Sequence, residues 1–286
     1  MAASMQALLS LAQARLRQAG CDTPRLDAVL LLAAATGTTP DGVRLNPDAP
    51  VEAAAAARFD LLVKRREARE PVAQILGRRE FWGLDFIVSR SVLDPRADSE
   101  TLIDAMLRQL SDRKMPLRLV DFGTGSGCLL LSLLHELPGA WGVGIDRSEA
   151  ALAVARENAG RLGLHERVAF TCTDWGSGIA GAFDILISNP PYIETAVLPS
   201  LAPEVALYEP RSALDGGPDG LDTYRRLLPD MRRLAAPGAL VGLEVGAGQG
   251  TAVTELLVAA GFEGVQPVAD LAGHIRVLLG RRDSAI

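Results

Sequence analysis

The chain has 286 residues, 48% apolar and 22% charged, which places it among ordinary globular proteins and excludes a disordered one. A net charge of −6 argues against tight binding to naked nucleic acid, which needs phosphate-neutralising Lys and Arg. The three cysteines form no C-x-x-C pair and the three histidines show no ligand spacing, so no metal site is expected, and the cysteines read as small core residues in a reducing compartment.

No run of about 18 apolar residues occurs, and residues 1–20 lack a basic stretch followed by an unbroken apolar one. Neither a membrane span nor a signal peptide is therefore expected, and the expected compartment is the cytoplasm. In chain order, residues 4–68 read as helical. Leu8, Leu9, Ala12 and Leu16 form an amphipathic stripe. Thr23-Pro24 supplies a cap and a first-turn proline for a second helix carrying Leu26, Val29, Leu30 and Leu32. Pro50 is expected to open a third, running to Arg69, whose cluster Lys64, Arg65, Arg66 and Arg69 reads as a solvated helix face. After Glu70-Pro71 the texture changes. Phe81, Leu84, Phe86 and Val88 around Gly83 predict a hairpin of two short strands, and a helix is expected over 97–110. Beyond Pro116, short apolar runs alternate with glycine turns and helices: LRLVDFG, GCLLLSLLHEL, AWGVGID, EAALAVARENAGRLG, VAFTCTDW, FDILISNPPY, ALVGLEVG, TAVTELLVAAG and HIRVLLG. That alternation predicts an α/β domain with a parallel sheet covered on both faces.

Asp121-Phe122-Gly123-Thr124-Gly125-Ser126-Gly127 follows an apolar strand and opens a helix. Glycines there let the backbone turn tightly and approach a ligand closely. Asp146 ends the next strand, about 20 residues on, where a carboxylate can accept ribose hydroxyls. The dinucleotide fingerprint G-x-G-x-x-G fails because Cys128 holds its last position, which favours a nucleoside without a pyrophosphate. S-adenosylmethionine is such a ligand, and Asp121 suits its ammonium better than a phosphate. A second loop, Gly246-Ala247-Gly248-Gln249-Gly250, also follows a strand, with Asp270 about 20 residues beyond it. It reads as a turn, because the remaining chemistry lies downstream of the first loop.

That chemistry is Asn189-Pro190-Pro191-Tyr192, directly after a strand. Successive prolines fix φ and remove N–H donors, so the loop presents rigid carbonyls. Asn189 adds an acceptor and Tyr192 a flat face for stacking. Two acceptors side by side can take both hydrogens of an NH₂ group on an amide or exocyclic amine, aiming its delocalised lone pair at a sulfonium methyl. Between the two loops, Asp174 is placed to accept from an adenine amino group and Trp175 to cover the ring, or else they are a capping aspartate and a core tryptophan.

The ordered landmarks Glu70-Pro71-Val72-Ala73, Gly77-Arg78-Arg79-Glu80-Phe81-Trp82, the DFGTGSG loop, Ala155-Arg156-Glu157-Asn158-Ala159, Ser188-Asn189-Pro190-Pro191-Tyr192-Ile193, Tyr208-Glu209-Pro210-Arg211, Gly220-Leu221-Asp222 and Asp270-Leu271-Ala272-Gly273 make the chain resemble the HemK/PrmC-type protein-(glutamine-N5) methyltransferases, which modify peptide chain release factors. The resemblance implies a Rossmann-like class I methyltransferase sheet of seven mostly parallel strands. It implies that Gly123, Thr124, Gly125, Ser126, Gly127, Asp146 and Trp175 contact S-adenosylmethionine, with S-adenosylhomocysteine as product; Asp121, Asp174 and Asn189 join them from the residue reading. Asn189 and the Pro190 carbonyl are implied to hold the glutamine amide, with Pro191 in the same loop and Tyr192 packing on it. The expected organisation is a helical substrate-binding domain over 1–72, a β-hairpin linker over 73–92 and a catalytic domain over 93–286, in a monomer whose partner is a release factor modified in a Gly-Gly-Gln tripeptide. One departure stands out: the family's Pro-Arg-Pro segment is here Asp94-Pro95-Arg96-Ala97-Asp98-Ser99-Glu100, and Ala97 relaxes a rigid turn.

N-P-P-Y alone is shared with enzymes that methylate amino groups of DNA bases, so other readings stay open. The same chemistry on a glutamine of a ribosomal protein is one. An adenine-N6 DNA methyltransferase is another, opposed by the acidic chain and the absence of a basic target-recognition region. A binding module without catalysis is the third, opposed by the intact loop, acid and N-P-P-Y.

Overall fold

Two units separate by their internal contacts in the computed structural model, which describes residues 3–283. One comprises the chain up to Arg78 together with Ala202–Tyr208; the other comprises Arg79–Leu201 and the chain from Glu209 onward. The helical unit begins with α1 (Met5–Gln18), whose first turn is capped by the Ser4 hydroxyl accepting from Ala7 N–H, and whose Leu9, Ala12 and Leu16 are buried. Helix α2 (Pro24–Thr36) starts on its proline and ends at Gly37, whose φ of 71° is the left-handed conformation glycine tolerates. A short α3 (Pro40–Leu45) is capped by Thr39. Helix α4 (Ala53–Glu67) starts later than expected because Pro50 pairs with Ser4 in an isolated bridge instead of opening it. Helix α5 (Val72–Leu76) extends this unit past residue 72, the expected boundary.

The cationic cluster at the end of α4 is a solvated face only in part, since Lys64 and Arg65 are exposed while Arg66 is buried. Lys64 pairs with Asp60, Arg65 with Glu70, and Arg66 is buried between Asp27 at 2.7 Å and Glu204 at 2.8 Å. Arg69 also reaches Glu204, at 2.6 Å. Burial works against the Glu204 charge, but Arg69 and Arg66 outweigh it and hold the carboxyl down at about 2. This ion cluster explains why a segment so distant in sequence belongs to the helical unit.

The second unit opens with a hairpin of β1 (Arg78–Phe81) and β2 (Leu84–Ile87). A 3-10 turn at Ala97–Ser99 runs into α6 (Glu100–Arg108). Then β3 (Arg118–Phe122), α7 (Cys128–Glu136), β4 (Trp141–Asp146), α8 (Glu149–Arg161), β5 (Val168–Cys172) and β6 (Phe183–Ser188) alternate as expected. Helix α9 (Pro203–Tyr208) carries the segment claimed by the helical unit, and α10 (Asp222–Leu234), β7 (Ala235–Glu244), α11 (Gly250–Ala259), β8 (Phe262–Ala269) and β9 (Ile275–Arg282) finish the chain. The sheet has seven strands in the order β5-β4-β3-β6-β7-β9-β8, parallel except for β9, which runs antiparallel to both β7 and β8.

Successive side chains of a strand point to opposite faces, so each strand feeds two cores. Leu119, Ile185, Ile187 and Leu240 join α6 and α7 on one face. Val120, Leu186, Val241 and Leu243 join Tyr224, Leu227, Met231 and Val253 of α10 and α11 on the other. Cysteine 172 departs from the expected core role: it is exposed because β5 is an edge strand, whereas Cys21 is buried and Cys128 half-buried. No described helix is long and apolar enough to cross a membrane.

Candidate active site

Strand β3 pairs with β4 on one side and β6 on the other, so the chain reverses its direction of winding there and the carboxyl ends part into a crevice. Phe122 of β3 lies opposite Ser188 of β6, and the Ser188 hydroxyl donates to the Phe122 carbonyl at 2.6 Å. The glycine loop and the Asn189 loop therefore leave the sheet side by side. They open into one cavity of about 480 Å³, a volume suited to a small organic ligand.

In the first loop Gly123, Gly125 and Gly127 take φ values of 72°, 56° and 81°, which side-chain-bearing residues seldom adopt. Gly123 and Thr124 N–H groups donate to the Ile145 carbonyl at the end of β4. The Asp146 carboxylate is oriented by two backbone donors, Gly125 N–H at 3.0 Å and Ser148 N–H at 2.9 Å. Gly123, Thr124, Gly125, Ser126, Asp146, Asp174, Trp175, Asn189 and Pro191 line the cavity. Asp121, Gly127, Pro190 and Tyr192 are not among its lining residues.

Each of those has a local reason. Asp121 is buried beneath the loop, its Oδ2 accepting the Thr124 hydroxyl at 2.7 Å and its Oδ1 without a partner. Burial pushes its carboxyl up to about 7, against the Thr124 hydroxyl. Gly127 caps α7, where an added Cβ would press on Leu131 at 3.0 Å. Pro190 is buried. The Tyr192 ring packs into the core on the α10 side, and its hydroxyl donates to Glu244 Oε1 at 3.3 Å, so the exposed stacking face expected of it is turned away from the cavity.

Asp174 is exposed and pairs with Arg226 at 2.7 Å. Trp175 is half-buried at φ 50°, with its indole N–H enclosed and unpartnered. Asn189 donates from Nδ2 to the Ser99 hydroxyl at 3.3 Å. The Asp94–Glu100 segment is firmly anchored despite Ala97: Arg96 sets one Nη2 on both oxygens of Glu209 at 2.7 Å, and Glu100 accepts from Trp82 N–H. Among the described residues no group of His, Cys, Asp and Glu converges as a metal site.

Residues 7–77 match the PrmC N-terminal domain family, and residues 84–207 match the methyltransferase small domain family. The chain is 45% identical to the release factor glutamine methyltransferase of Caulobacter vibrioides, over 94% of this chain and 93% of that protein. The chain belongs to the release factor glutamine methyltransferase family. Its likeness to the protein of that name from Rhodospirillum rubrum is also 45%, over 95% of this chain and 83% of the other. A methyltransferase from Pyrococcus furiosus shares the fold alone, at a TM-score of 0.50 and 17% identity, covering 70% of this chain and 90% of that one.

As a methyltransferase of this family, the enzyme works with a methyl donor, and the cavity fits one of the adenosylmethionine type. Two enclosed polar atoms of lining residues, Ser126 Oγ and Trp175 Nε1, have no hydrogen-bond partner, and neither has Asp121 Oδ1 buried beneath the loop. Buried polar groups are normally satisfied, so such a set marks a place built for a polar ligand. Cys128, at the cavity wall, has its thiol pushed up to about 12 by burial and stays neutral.

Several charged groups at the site had no role assigned from the sequence. Glu209 is buried, and burial pushes it up to about 7 against Arg96. Asp94 beside it is also raised by burial, against Arg79 and Arg96. Glu244, at the end of β7, is raised to about 7 by burial, against the Ser99 and Tyr192 hydroxyls and Arg276. The landmark Tyr208-Glu209-Pro210-Arg211 and the Asp94–Glu100 segment pointed at two of these, Glu209 and Asp94, without giving either a role, and nothing pointed at Glu244.

Proposed function

We propose that this enzyme transfers the methyl group of S-adenosylmethionine to the side-chain amide nitrogen of the glutamine in the Gly-Gly-Gln tripeptide of peptide chain release factors. The observation that carries this reading is that Asn189 and the first glycine loop open into the same cavity. Family membership supplies the substrate, since the curated relatives are named for release factors.

The cofactor, when bound, supplies an electrophilic methyl carbon on a sulfonium. Asp146, already oriented by Gly125 and Ser148, accepts the ribose hydroxyls. Asp121, with its unpartnered Oδ1, provides negative charge for the cofactor's ammonium. Asp174 and Trp175 border the adenine, the aspartate competing with its Arg226 partner. Asn189 Oδ1 and the Pro190 carbonyl accept the two N–H groups of the substrate amide, and Pro191 and Tyr192 complete the loop that holds it. With both N–H bonds engaged, the nitrogen lone pair faces the methyl carbon; the N–C bond forms, the S–C bond breaks, and one amide proton leaves to solvent. Catalysis is then mainly positioning and electrostatics, with no dedicated base needed before transfer. The helical unit is assigned to holding the release factor.

Incubating the protein with methyl-labelled cofactor and a release factor, a ribosomal protein fraction or duplex DNA tests this. Label on the factor, lost when its Gly-Gly-Gln glutamine is replaced, is the expected result. Label on DNA or a ribosomal protein alone would refute it.

A further inference from the structure

The segment Ala155-Arg156-Glu157-Asn158-Ala159 falls on α8, where Ala155, Asn158 and Ala159 share the buried face. The small alanines bring this helix close to the first glycine loop: a Cβ added at Gly127 would lie 3.4 Å from that of Ala155. Asn158 sits in this contact and is 0% exposed. An amide enclosed this fully is costly unless its donors and its acceptor are engaged, and here they are. Its Oδ1 accepts from Ile87 N–H at 2.7 Å, and its Nδ2 donates to the Ile87 carbonyl at 3.1 Å and to the Ser126 carbonyl at 2.9 Å. Both main-chain groups of Ile87, the last residue of β2, are thus held as a neighbouring strand would hold them.

From Ile87 the chain runs into the cavity wall. Val88 is buried, the Ser89 hydroxyl accepts from Ser91 N–H at 3.2 Å, and the Ser89 carbonyl accepts from Val92 N–H at 3.3 Å. Ser91, Val92 and Leu93 line the cavity, and so does Ser126 with its enclosed, unpartnered hydroxyl. Asn158 itself does not line it. The other side-chain ties of the hairpin reach helices and not the glycine loop. Trp82 donates to Glu100 of α6 at 2.9 Å and to Glu136 of α7 at 3.0 Å, and Arg161 of α8 reaches Asp85 at 3.4 Å.

We propose that Asn158 is a positioning residue for the cofactor, joining Ile87 to Ser126 and so setting the spacing between the hairpin side of the cavity and the glycine loop. It rests on the cofactor reading above and extends it to a residue the ligand does not touch. The chemistry of the side chain suits the task. An aspartate lacks the N–H donors, and a leucine would leave three main-chain groups without this partner. Because one amide grips both sides, a ligand that fixes Ser126 also fixes Ile87, and without the latch the ligand must order its own receptacle.

Asn158→Ala and, as a control, Arg161→Ala are compared with the wild type for the Kd of S-adenosylhomocysteine by calorimetry and for kcat at saturating cofactor. The ¹⁵N–¹H signal of the Ile87 amide is followed in each, with and without S-adenosylhomocysteine. Asn158→Ala is expected to raise Kd about tenfold while kcat stays within about threefold of the wild type, because the loss falls on ordering the site and not on the reacting groups. In the wild type the ligand is expected to move the Ile87 signal although Ile87 does not line the cavity, and in Asn158→Ala to leave it in place. Arg161→Ala removes a hairpin contact on the same helix and is expected to change neither Kd nor the response of Ile87. An unchanged Kd in Asn158→Ala, an Ile87 signal indifferent to ligand in the wild type, or an equal effect from Arg161→Ala would overturn the proposal. If Asn158→Ala does not fold, the Ile87 signal of the wild type decides alone. A wild type that binds S-adenosylhomocysteine and moves Ile87 but methylates no release factor would sink the substrate reading and leave Asn158 in its role. A wild type that does not bind S-adenosylhomocysteine would overturn both.

Discussion

Two loops of this chain share the pattern Gly-x-Gly-x-Gly after a strand, Gly123–Gly127 after β3 and Gly246–Gly250 after β7. In the first, an added Cβ at Gly125 would meet nothing nearer than the Gly123 carbonyl at 3.9 Å, and the loop faces an open cavity. In the second, the space is filled from within. Gln249 accepts from Gly246 N–H at 3.0 Å and donates to the Tyr192 carbonyl at 2.9 Å and that of Gly220 at 3.3 Å. A Cβ at Gly246 would strike Gln249 Oε1 at 2.7 Å and the Tyr192 ring at 3.0 Å. One loop is therefore a receptacle and the other a brace for the loop that carries Asn189. Glycine spacing alone cannot separate the two. What does is a neighbouring side chain long and polar enough to satisfy the loop from inside.

The contrast yields graded expectations. Asn189 lies between receptacle and brace, and Asn189→Ala should lower kcat by about 100- to 1000-fold, the range for losing one preorganised polar contact to the reacting group. Cofactor binding measured by calorimetry should weaken only modestly. In the receptacle, Asp146→Ala should raise the cofactor Kd by roughly ten- to a hundredfold, since a hydrogen bond to a charged group contributes about 1.5–3 kcal/mol. Unchanged affinity would mean that the ribose binds elsewhere. In the brace, Gln249→Ala should do the opposite, reducing kcat by about tenfold through three lost hydrogen bonds while leaving the cofactor Kd alone. An effect on Kd as large as that of Asp146→Ala would erase the distinction.

The smallest expected effect is on pH dependence. Burial holds the folded Asp121 carboxyl at about 7 against its usual 3.8, so without cofactor the folded state keeps a proton that the unfolded state has lost. Asp121 therefore lowers stability progressively as pH rises between those values. Glu209 and Glu244, also raised to about 7, act in the same direction. A cationic cofactor favours the ionised carboxyl, so its affinity should tighten severalfold as pH rises through about 7. Asp121→Asn should flatten that rise, and titrations at several pH values check it.

Much of this was legible in the sequence because it rests on local rules. The alternation after Pro116 announced the parallel strands, and Asn189 and Pro191 line the same cavity as Gly123–Ser126, although Pro190, Tyr192 and Gly127 do not. Strand β8 was passed over because Gly264 and Pro267 interrupt it, and an edge strand tolerates both. Helix α10 hides behind Pro229 in its interior. The short α3 and α5 lack the length for a periodic signal. The orientation of Tyr192 was unreadable because it depends on Glu244 and Gln249, more than fifty residues away along the chain. The same holds for Arg96 with Glu209 and for Arg66 with Glu204, whose partners are set by tertiary folding and not by local spacing.

A crystal structure of the protein with S-adenosylhomocysteine would test the central claim most directly. The account predicts the ribose on Asp146, the amino group toward Asp121, and the sulfur facing Asn189 with Oδ1 turned into the space between them. A ligand seated against the second glycine loop, or a sulfur screened from Asn189, would contradict it.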